Sequence, residues 1–237
     1  SSPDRFVAMP THLVTGAGAG IGAAVARALA RRGDQLVLLA RNEERAGALA
    51  SDLPGSRTVV ADLAEPMRLE EVLAGQDLPD RLDSVIHSAG VAELGSVSEL
   101  GADVWRRTLD VNLVAPAELT RLLLPSLRAT RGHVVLVNSG SGLRANPGWS
   151  AYAASKHGLR ALADALRAEE KESGVRVTSV YPGRTATPMQ EKVHDHEGKE
   201  YDPSEWISPD SVAAAVLTAL DLPRDAEMTD VTLRPGP

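Results

Sequence analysis

Tyr152-Ala153-Ala154-Ser155-Lys156 falls in a stretch of helical character, which puts the phenol and the ammonium on one helix face, four positions apart. A phenol held beside a cation can give and take a proton. Its ordinary pKa is about 10, so work near neutral pH calls for a fall of roughly 3 units, worth about 4 kcal/mol. The Lys156 ammonium supplies one positive charge toward that fall. Ser139 lies just past an apolar run, thirteen residues before Tyr152, where its hydroxyl can hydrogen-bond a substrate oxygen. Ser141, in Asn138-Ser139-Gly140-Ser141-Gly142, competes for that role. Taken singly, Tyr152 reads as a core aromatic and Lys156 as a surface charge, because Tyr and Lys at this spacing often coincide by chance.

A second feature makes chance the weaker reading. Thr15-Gly16-Ala17-Gly18-Ala19-Gly20-Ile21-Gly22 follows an apolar run and opens an Ala-rich helical stretch. In that setting glycines let the backbone turn sharply, approach a pyrophosphate closely and aim a helix N-terminus at it. A plain glycine turn is disfavoured by the strand before and the helix after. The spacing is T-G-x-x-x-G-x-G, not the common G-x-G-x-x-G. An oxidised nicotinamide ring bound there would bring a second positive charge to Tyr152. An acidic residue about 20 positions after such a loop favours NAD through the ribose 2′-OH. This chain has Ala40-Arg41-Asn42 in that region. The Arg41 guanidinium suits a 2′-phosphate by charge and bidentate geometry, so NADP(H) is expected over NAD(H). An ordinary surface Arg is the plain alternative, and Ala19 stands where a second basic residue would have supported the phosphate.

A regular frame positions these residues. Apolar runs predict strands at residues 12–14, 35–40, 57–61, 82–87, 132–137, 175–181 and near 230–233. Helical patterns lie around residues 21–32, 42–52, 65–74, 101–130, 150–172 and 208–221. Strand and helix in alternation imply right-handed crossovers and a parallel sheet. Short, uninterrupted apolar strands imply helices on both faces. The expected fold class is α/β, a Rossmann-type doubly wound parallel sheet of about seven strands in a single domain over residues 1–237. Residues 184–207 break the rhythm, being polar without a clear period, and read as a lid over the site or a surface excursion.

Composition excludes several classes. The chain has 237 residues and no cysteine, so neither a disulfide framework nor thiol chemistry is available. Its net charge of -7 disfavours a general nucleic-acid role. Bound anions must then be met locally, by backbone N–H groups and a few Arg. Aromatics make up only 3%, so the core must be built from Ala, Val and Leu. No apolar run reaches the length of a membrane span. Ser1 to Met9 carries no signal-peptide pattern, and a cytoplasmic protein is expected.

Other side chains divide between site and scaffold. His194-Asp195-His196-Glu197 invites a metal reading, but no further ligand cluster accompanies it, so a solvated lid and no metal are expected. Arg184 is a phosphate contact or an ion pair within the lid. Trp149 and Trp206 line a substrate pocket or anchor loops. Leu143, Arg144, Met189 and Val193 are further pocket candidates. Leu159, Leu162 and Leu166 form a stripe that belongs to the core or to a subunit interface.

Together these residues resemble the short-chain dehydrogenase/reductase family. The matching pieces are Thr15-Gly16-x-x-x-Gly20-Ile21-Gly22, Asp62, His87-Ser88-Ala89-Gly90, Asn112, Ser139, Tyr152-x-x-x-Lys156 and Pro182-Gly183, in order along nearly the whole chain. The resemblance implies hydride transfer between a nicotinamide and a carbonyl or alcohol. It implies Tyr152 as general acid/base, Lys156 on the nicotinamide ribose, Ser139 on the carbonyl, and Asn112 holding a water that links Lys156 to solvent. The thirteen-residue spacing to Tyr152 favours Ser139 over Ser141, which is left facing the substrate with Trp149 and Met189. Cofactor contacts are implied for Gly16, Gly18, Ala19, Gly20, Ile21, Gly22, Arg41 and Asn42. Further along they are implied for Asp62 and Leu63 at the adenine, for Ser88, Ala89 and Gly90, and for Pro182, Gly183, Thr185 and Thr187 at the nicotinamide.

The family often has Asn-Asn-Ala-Gly where this chain has His87-Ser88-Ala89-Gly90, which puts side-chain contacts of His87 and Ser88 in question. Pro116 has no N–H to donate to the Asn112 carbonyl four residues back, which would leave that carbonyl free for a water. A homodimer or homotetramer acting on a small molecule, with no nucleic-acid or membrane partner, completes the expectation. The rivals are a non-catalytic NADP(H)-binding sensor or regulator, and an epimerase or dehydratase on the same fold. Retention of Ser139, Tyr152, Lys156 and Asn112 together argues against the sensor, and the short segment after Gly183 against the epimerase or dehydratase.

Overall fold

The computed structural model describes residues 9–237, so the reading of Ser1 to Met9 lies, Met9 apart, outside the described residues. Seven parallel strands run β1 (Thr11–Thr15), β2 (Gln35–Ala40), β3 (Arg57–Val60), β4 (Ser84–His87), β5 (His133–Val137), β6 (Arg176–Pro182) and β7 (Asp230–Leu233). They lie in the order β3-β2-β1-β4-β5-β6-β7. The order reverses between β1 and β4, which register His12 opposite Ser84 and Thr15 opposite His87. In an open α/β sheet the crevice beyond the strand C-termini at that reversal is the natural binding place.

The strands are apolar at successive positions because both faces are covered. Along β2, Leu36, Leu38 and Ala40 enter one core cluster while Val37 and Leu39 enter the other. One face is filled by α1 (Gly20–Arg31) and α8 (Pro209–Asp221), through Ala24, Val25, Leu29, Val212 and Val216. The other is filled by α5 (Ala115–Arg128) and α6 (Ser150–Glu169), through Leu119, Leu123, Leu127 and Leu159. Leu159 and Leu166 are buried in that cluster with Leu162 packed against it, so the stripe is core and not a free face. The remaining helices are α2 (Glu43–Asp52), α3 (Leu69–Ala74), α4 (Ala102–Leu109) and α7 (Pro188–Glu197).

Two expectations change. The stretch at residues 101–130 is not one regular helix: Asp110–Val114 forms a π turn between α4 and α5, in which the Ala115 N–H donates to the Asp110 carbonyl. Pro116 follows at once, and a proline without an N–H fits where the i−4 ladder is already interrupted. The segment at residues 184–207 is not irregular throughout, because it holds α7. Thr187 caps that helix by accepting the Gln190 N–H, Pro188 takes its first turn, and Gly198 ends it in the left-handed region at φ 65. Among the described residues no helix is long and apolar enough to cross a membrane.

Candidate active site

The glycine loop joins β1 to α1 and packs on the loop that follows β4. Gly16 adopts φ 68, and a Cβ there would stand 2.7 Å from the Ala89 nitrogen. A Cβ on Gly22 would stand 2.2 Å from the Gly16 carbonyl oxygen. Both contacts are with backbone, so neither position tolerates a side chain. Thr15 fixes the junction: its hydroxyl accepts the Ser88 and Ala89 N–H groups at 3.1 Å each. The first turn of α1 has no side-chain cap and no acidic residue, so its leading amides lack a side-chain partner. Ala19 is the N-cap residue, in extended backbone.

Around this loop stand the other cofactor candidates. Arg41 is exposed at the end of β2. Asn42 is engaged locally, its Oδ1 capping α2 by accepting the Arg45 N–H at 2.9 Å. Asp62 also acts locally, accepting the Ala64 N–H at 2.9 Å, while Leu63 packs on the core. The Gly183 N–H donates to the Leu233 carbonyl, and the Thr185 hydroxyl to the Gly183 carbonyl. Thr187 reaches the glycine loop, its Cγ2 lying 3.1 Å from where a Gly20 Cβ would stand. His87 turns away from the crevice: its Nε2 meets the Thr120 hydroxyl of α5 at 2.9 Å in the buried interior. Burial lowers its pKa to about 4.

Tyr152 and Lys156 come from the first turns of α6 and are both buried, at 6% and 5% exposure. The ammonium donates to the Val137 carbonyl oxygen at 3.0 Å and lies 5.7 Å from the Tyr152 ring centre. Burial lowers the Lys156 pKa to about 8. Burial also raises the Tyr152 phenol, with the Ser139 hydroxyl pulling the other way. The lowering expected from the sequence draws on Lys156 and an oxidised nicotinamide together; in the protein alone desolvation dominates and the phenol is raised. Ser139 sits at the end of the loop after β5, and its oxygen accepts the Ser141 N–H at 3.1 Å. Trp149 meets the Tyr152 ring edge-on at 5.8 Å between centres. Asn112 is 1% exposed, and its amide works as a clamp. Its Oδ1 accepts the Val91 N–H and its Nδ2 donates to the Val91 carbonyl, both at 2.8 Å, and to the Ser155 hydroxyl at 3.1 Å.

Two residues that the sequence did not single out complete this cluster. Ser155 passes the Asn112 contact on to the Tyr152 carbonyl at 2.7 Å. Asn138 joins the β5 loop to α6 by donating to the Lys156 carbonyl at 3.0 Å. The only sequence signal for either was position, inside the Asn138–Gly142 and Tyr152–Lys156 segments.

Residues 184–207 hold together through their own contacts. Arg184 forms a two-pronged ion pair with Glu197 at 2.9 and 2.7 Å and lies 5.6 Å from the Trp206 ring centre. That pairing holds the Glu197 carboxyl at about 2. His194 is not solvated as expected: it is 2% exposed and packs between Tyr201 and Trp206. No cluster of metal-ligating side chains is found among the described residues. A small cavity of about 180 Å³ opens between α7 and the loop after β4, lined by Ala92, Leu94, Lys192, Val193 and His196. Met189 is half-buried in the first turn of α7, and Leu143 is exposed beyond Ser139.

Comparison with known proteins agrees with this architecture. The family model described as short chain dehydrogenase matches residues 10–198. An uncharacterized oxidoreductase of Staphylococcus epidermidis is 31% identical over 226 residues, covering 94% of this chain and 96% of that one. The structure of an alcohol dehydrogenase from the archaeon Thermococcus sibiricus, complexed with 5-hydroxy-NADP, is similar at a TM-score of 0.81 and 29% identity, covering 96% and 97% of the two chains. A metagenomic short-chain oxidoreductase in complex with NADP is similar at 0.77 and 29%, with the same coverage. The chain belongs to the short-chain dehydrogenase/reductase family of oxidoreductases.

Proposed function

We propose that this protein is an NADP(H)-dependent oxidoreductase that interconverts a carbonyl and an alcohol, with Tyr152 as the acid/base. The observation that carries the reading is convergence: Tyr152, Lys156 and Ser139 lie together beside a glycine loop that backbone contacts keep free of side chains. The residues present fit a dinucleotide. The uncapped amides of α1 suit a pyrophosphate, Gly16 and Gly22 leave the backbone bare, and Arg41 suits a 2′-phosphate. Two solved relatives carry NADP or a derivative of it.

A bound dihydronicotinamide would supply the hydride to the carbonyl carbon. Ser139 and Tyr152 donate hydrogen bonds to the carbonyl oxygen as negative charge develops there, and Tyr152 gives up its proton to it. In the reverse direction Tyr152 takes the alcohol proton. Lys156 favours the phenolate by its charge, and a bound oxidised nicotinamide would add a second positive charge, the two opposing the desolvation seen at Tyr152. Asn112 serves by holding the Val91 loop and Ser155 in register, with its backbone carbonyl as the water-binding group. Ser141, Trp149 and Met189 face the substrate, and residues 184–207 close over it as a lid. We extend the family's habit to a homo-oligomer acting on a small molecule.

Turnover of NADPH against a panel of aldehydes and ketones tests this. Tyr152→Phe is expected to reduce kcat by at least about 100-fold, in line with loss of a general acid. Its affinity for NADPH is expected to stay within a few-fold of wild type. Equal turnover by wild type and Tyr152→Phe would overturn the assignment.

A further inference from the structure

We propose that the end of the sheet opposite the glycine loop carries an anion site that takes a phosphorylated small molecule. A cavity of about 530 Å³ opens there between the second half of α6, the turn into β6 and the loop from α8 to β7. Because β6 runs from Arg176 to Pro182, this cavity lies roughly 20 Å from Gly183 along the strand, so the site is separate from the crevice above. Five cationic side chains line it, Arg131, Arg167, Lys171, Arg176 and Arg224, against three acidic ones. The whole chain carries -7, so this excess of positive charge is local.

The acids do not cancel it. Asp164 pairs with Arg167 at 3.0 Å, and Glu227 approaches Arg167 at 3.9 Å while accepting the Val177 N–H at 2.7 Å. Arg176 is committed to structure. It donates to the Leu222 carbonyl at 2.7 Å and the Leu220 carbonyl at 3.1 Å, tying β6 to the end of α8. Its Nε is buried and has no partner among the described residues. Arg131, Lys171 and Arg224 make no ion pair among the described residues, and Arg224 has only one long contact, 3.3 Å to the Gly174 carbonyl. The Arg131 guanidinium lies over the same residue, its Nε 2.6 Å from where a Gly174 Cβ would stand. Two guanidinium groups thus converge on one peptide, with Arg176 behind them.

Three physical marks agree. Burial and the charges of Arg176 and Arg131 hold Arg224 below its ordinary value, against a smaller upward pull from Asp83. Arg131 takes φ 54 where α5 ends, its N–H donating to the Arg128 carbonyl and the Gly132 N–H to the Leu127 carbonyl at 2.8 Å, so the helix terminus fixes where its guanidinium starts. Guanidinium forks match phosphoryl oxygens two at a time, and Lys171 adds a point charge. The cavity volume is in the range of small-molecule sites, above what a bare ion fills.

Titration calorimetry of the full chain with pyrophosphate and with inorganic phosphate tests the site in three proteins. These are wild type, the double variant Arg131→Gly/Arg224→Gln, and Lys171→Glu. Glycine accepts the Arg131 backbone conformation, and Lys171 is exposed, so both variants are expected to fold, which circular dichroism checks. The double variant is expected to lose about tenfold or more of the wild-type pyrophosphate affinity, and Lys171→Glu to fall in the same direction. Inorganic phosphate is expected to bind more weakly than pyrophosphate. Anions held at the glycine loop would be indifferent to these substitutions. Wild-type protein that binds neither anion, or variants that bind pyrophosphate as wild type does, would overturn the proposal.

Discussion

The Asn138 amide donates to the Lys156 carbonyl at 3.0 Å and, through its own oxygen, accepts the Ser139 N–H at 2.8 Å. One buried side chain therefore sets the spacing between the residue that carries the ammonium and the residue that carries the hydroxyl. Asn138→Ala leaves a buried donor and acceptor unpaired, a loss of about 1–3 kcal/mol. The expected outcome is a lower denaturant midpoint together with a reduced kcat and an unchanged KM for the nucleotide. A variant that lost stability but kept kcat would show that Asn138 only braces the fold.

Gly22 tests the glycine loop. A Cβ at that position would stand 2.2 Å from the Gly16 carbonyl oxygen, which is backbone and cannot rotate away. Gly22→Ala must shift either the loop or α1, a strain of about 1–3 kcal/mol. Nucleotide affinity is expected to fall by at least about tenfold, read by nicotinamide fluorescence, with a lowered melting temperature.

His87 makes the fold acid-sensitive. Its pKa is about 4 in the folded protein, against 6.5 when unburied. The unfolded chain therefore binds more protons between those values. The stability that neutral His87 contributes is fully present above pH 6.5 and is lost as pH falls toward 4, by on the order of 3 kcal/mol. His87→Gln keeps a polar group for Thr120 without the titration, so its stability is expected to fall less steeply over that window. Urea unfolding at several pH values measures the difference in slope.

Lys156 predicts a conflict between stability and chemistry. Its folded pKa of about 8 lies below its ordinary 10.5, so holding the charged form costs the fold stability below pH 8. That cost lifts as pH rises from 8 to 10.5. Lys156→Met is expected to raise stability at pH 7 by about 1–3 kcal/mol, with the gain shrinking toward pH 10.5, and to abolish turnover. Chemical unfolding at pH 7 and pH 10 checks the sign.

The frame was legible because the central strands are short and mostly apolar at successive positions, as at Gln35–Ala40, and the long helices α1 and α5 carry an apolar stripe. The glycine loop and the Tyr152–Lys156 pair were legible because their chemistry demands particular residue types. The helix within residues 184–207 was not, because only Gln190, Val193 and His194 of α7 are buried and no apolar stripe results. Its end signals were present in Thr187-Pro188 and Gly198, but in a polar segment they read equally as turns. The π turn at Asp110–Val114 leaves no periodic trace either, since it inserts a single wider turn into an otherwise regular helix. At Tyr152, residue spacing carries the Lys156 charge but not the desolvation that burial imposes, which raises the phenol in the protein without a nucleotide.

Titration of the purified protein with NADPH and NADH, on wild type and Arg41→Ala, tests whether the glycine loop and Arg41 hold a phosphorylated nicotinamide dinucleotide. NADPH is expected to bind wild type more tightly than NADH does, and Arg41→Ala to weaken NADPH selectively, by roughly tenfold or more, consistent with loss of a charge-assisted phosphate contact. Wild-type protein that binds neither nucleotide would contradict the oxidoreductase mechanism at its base.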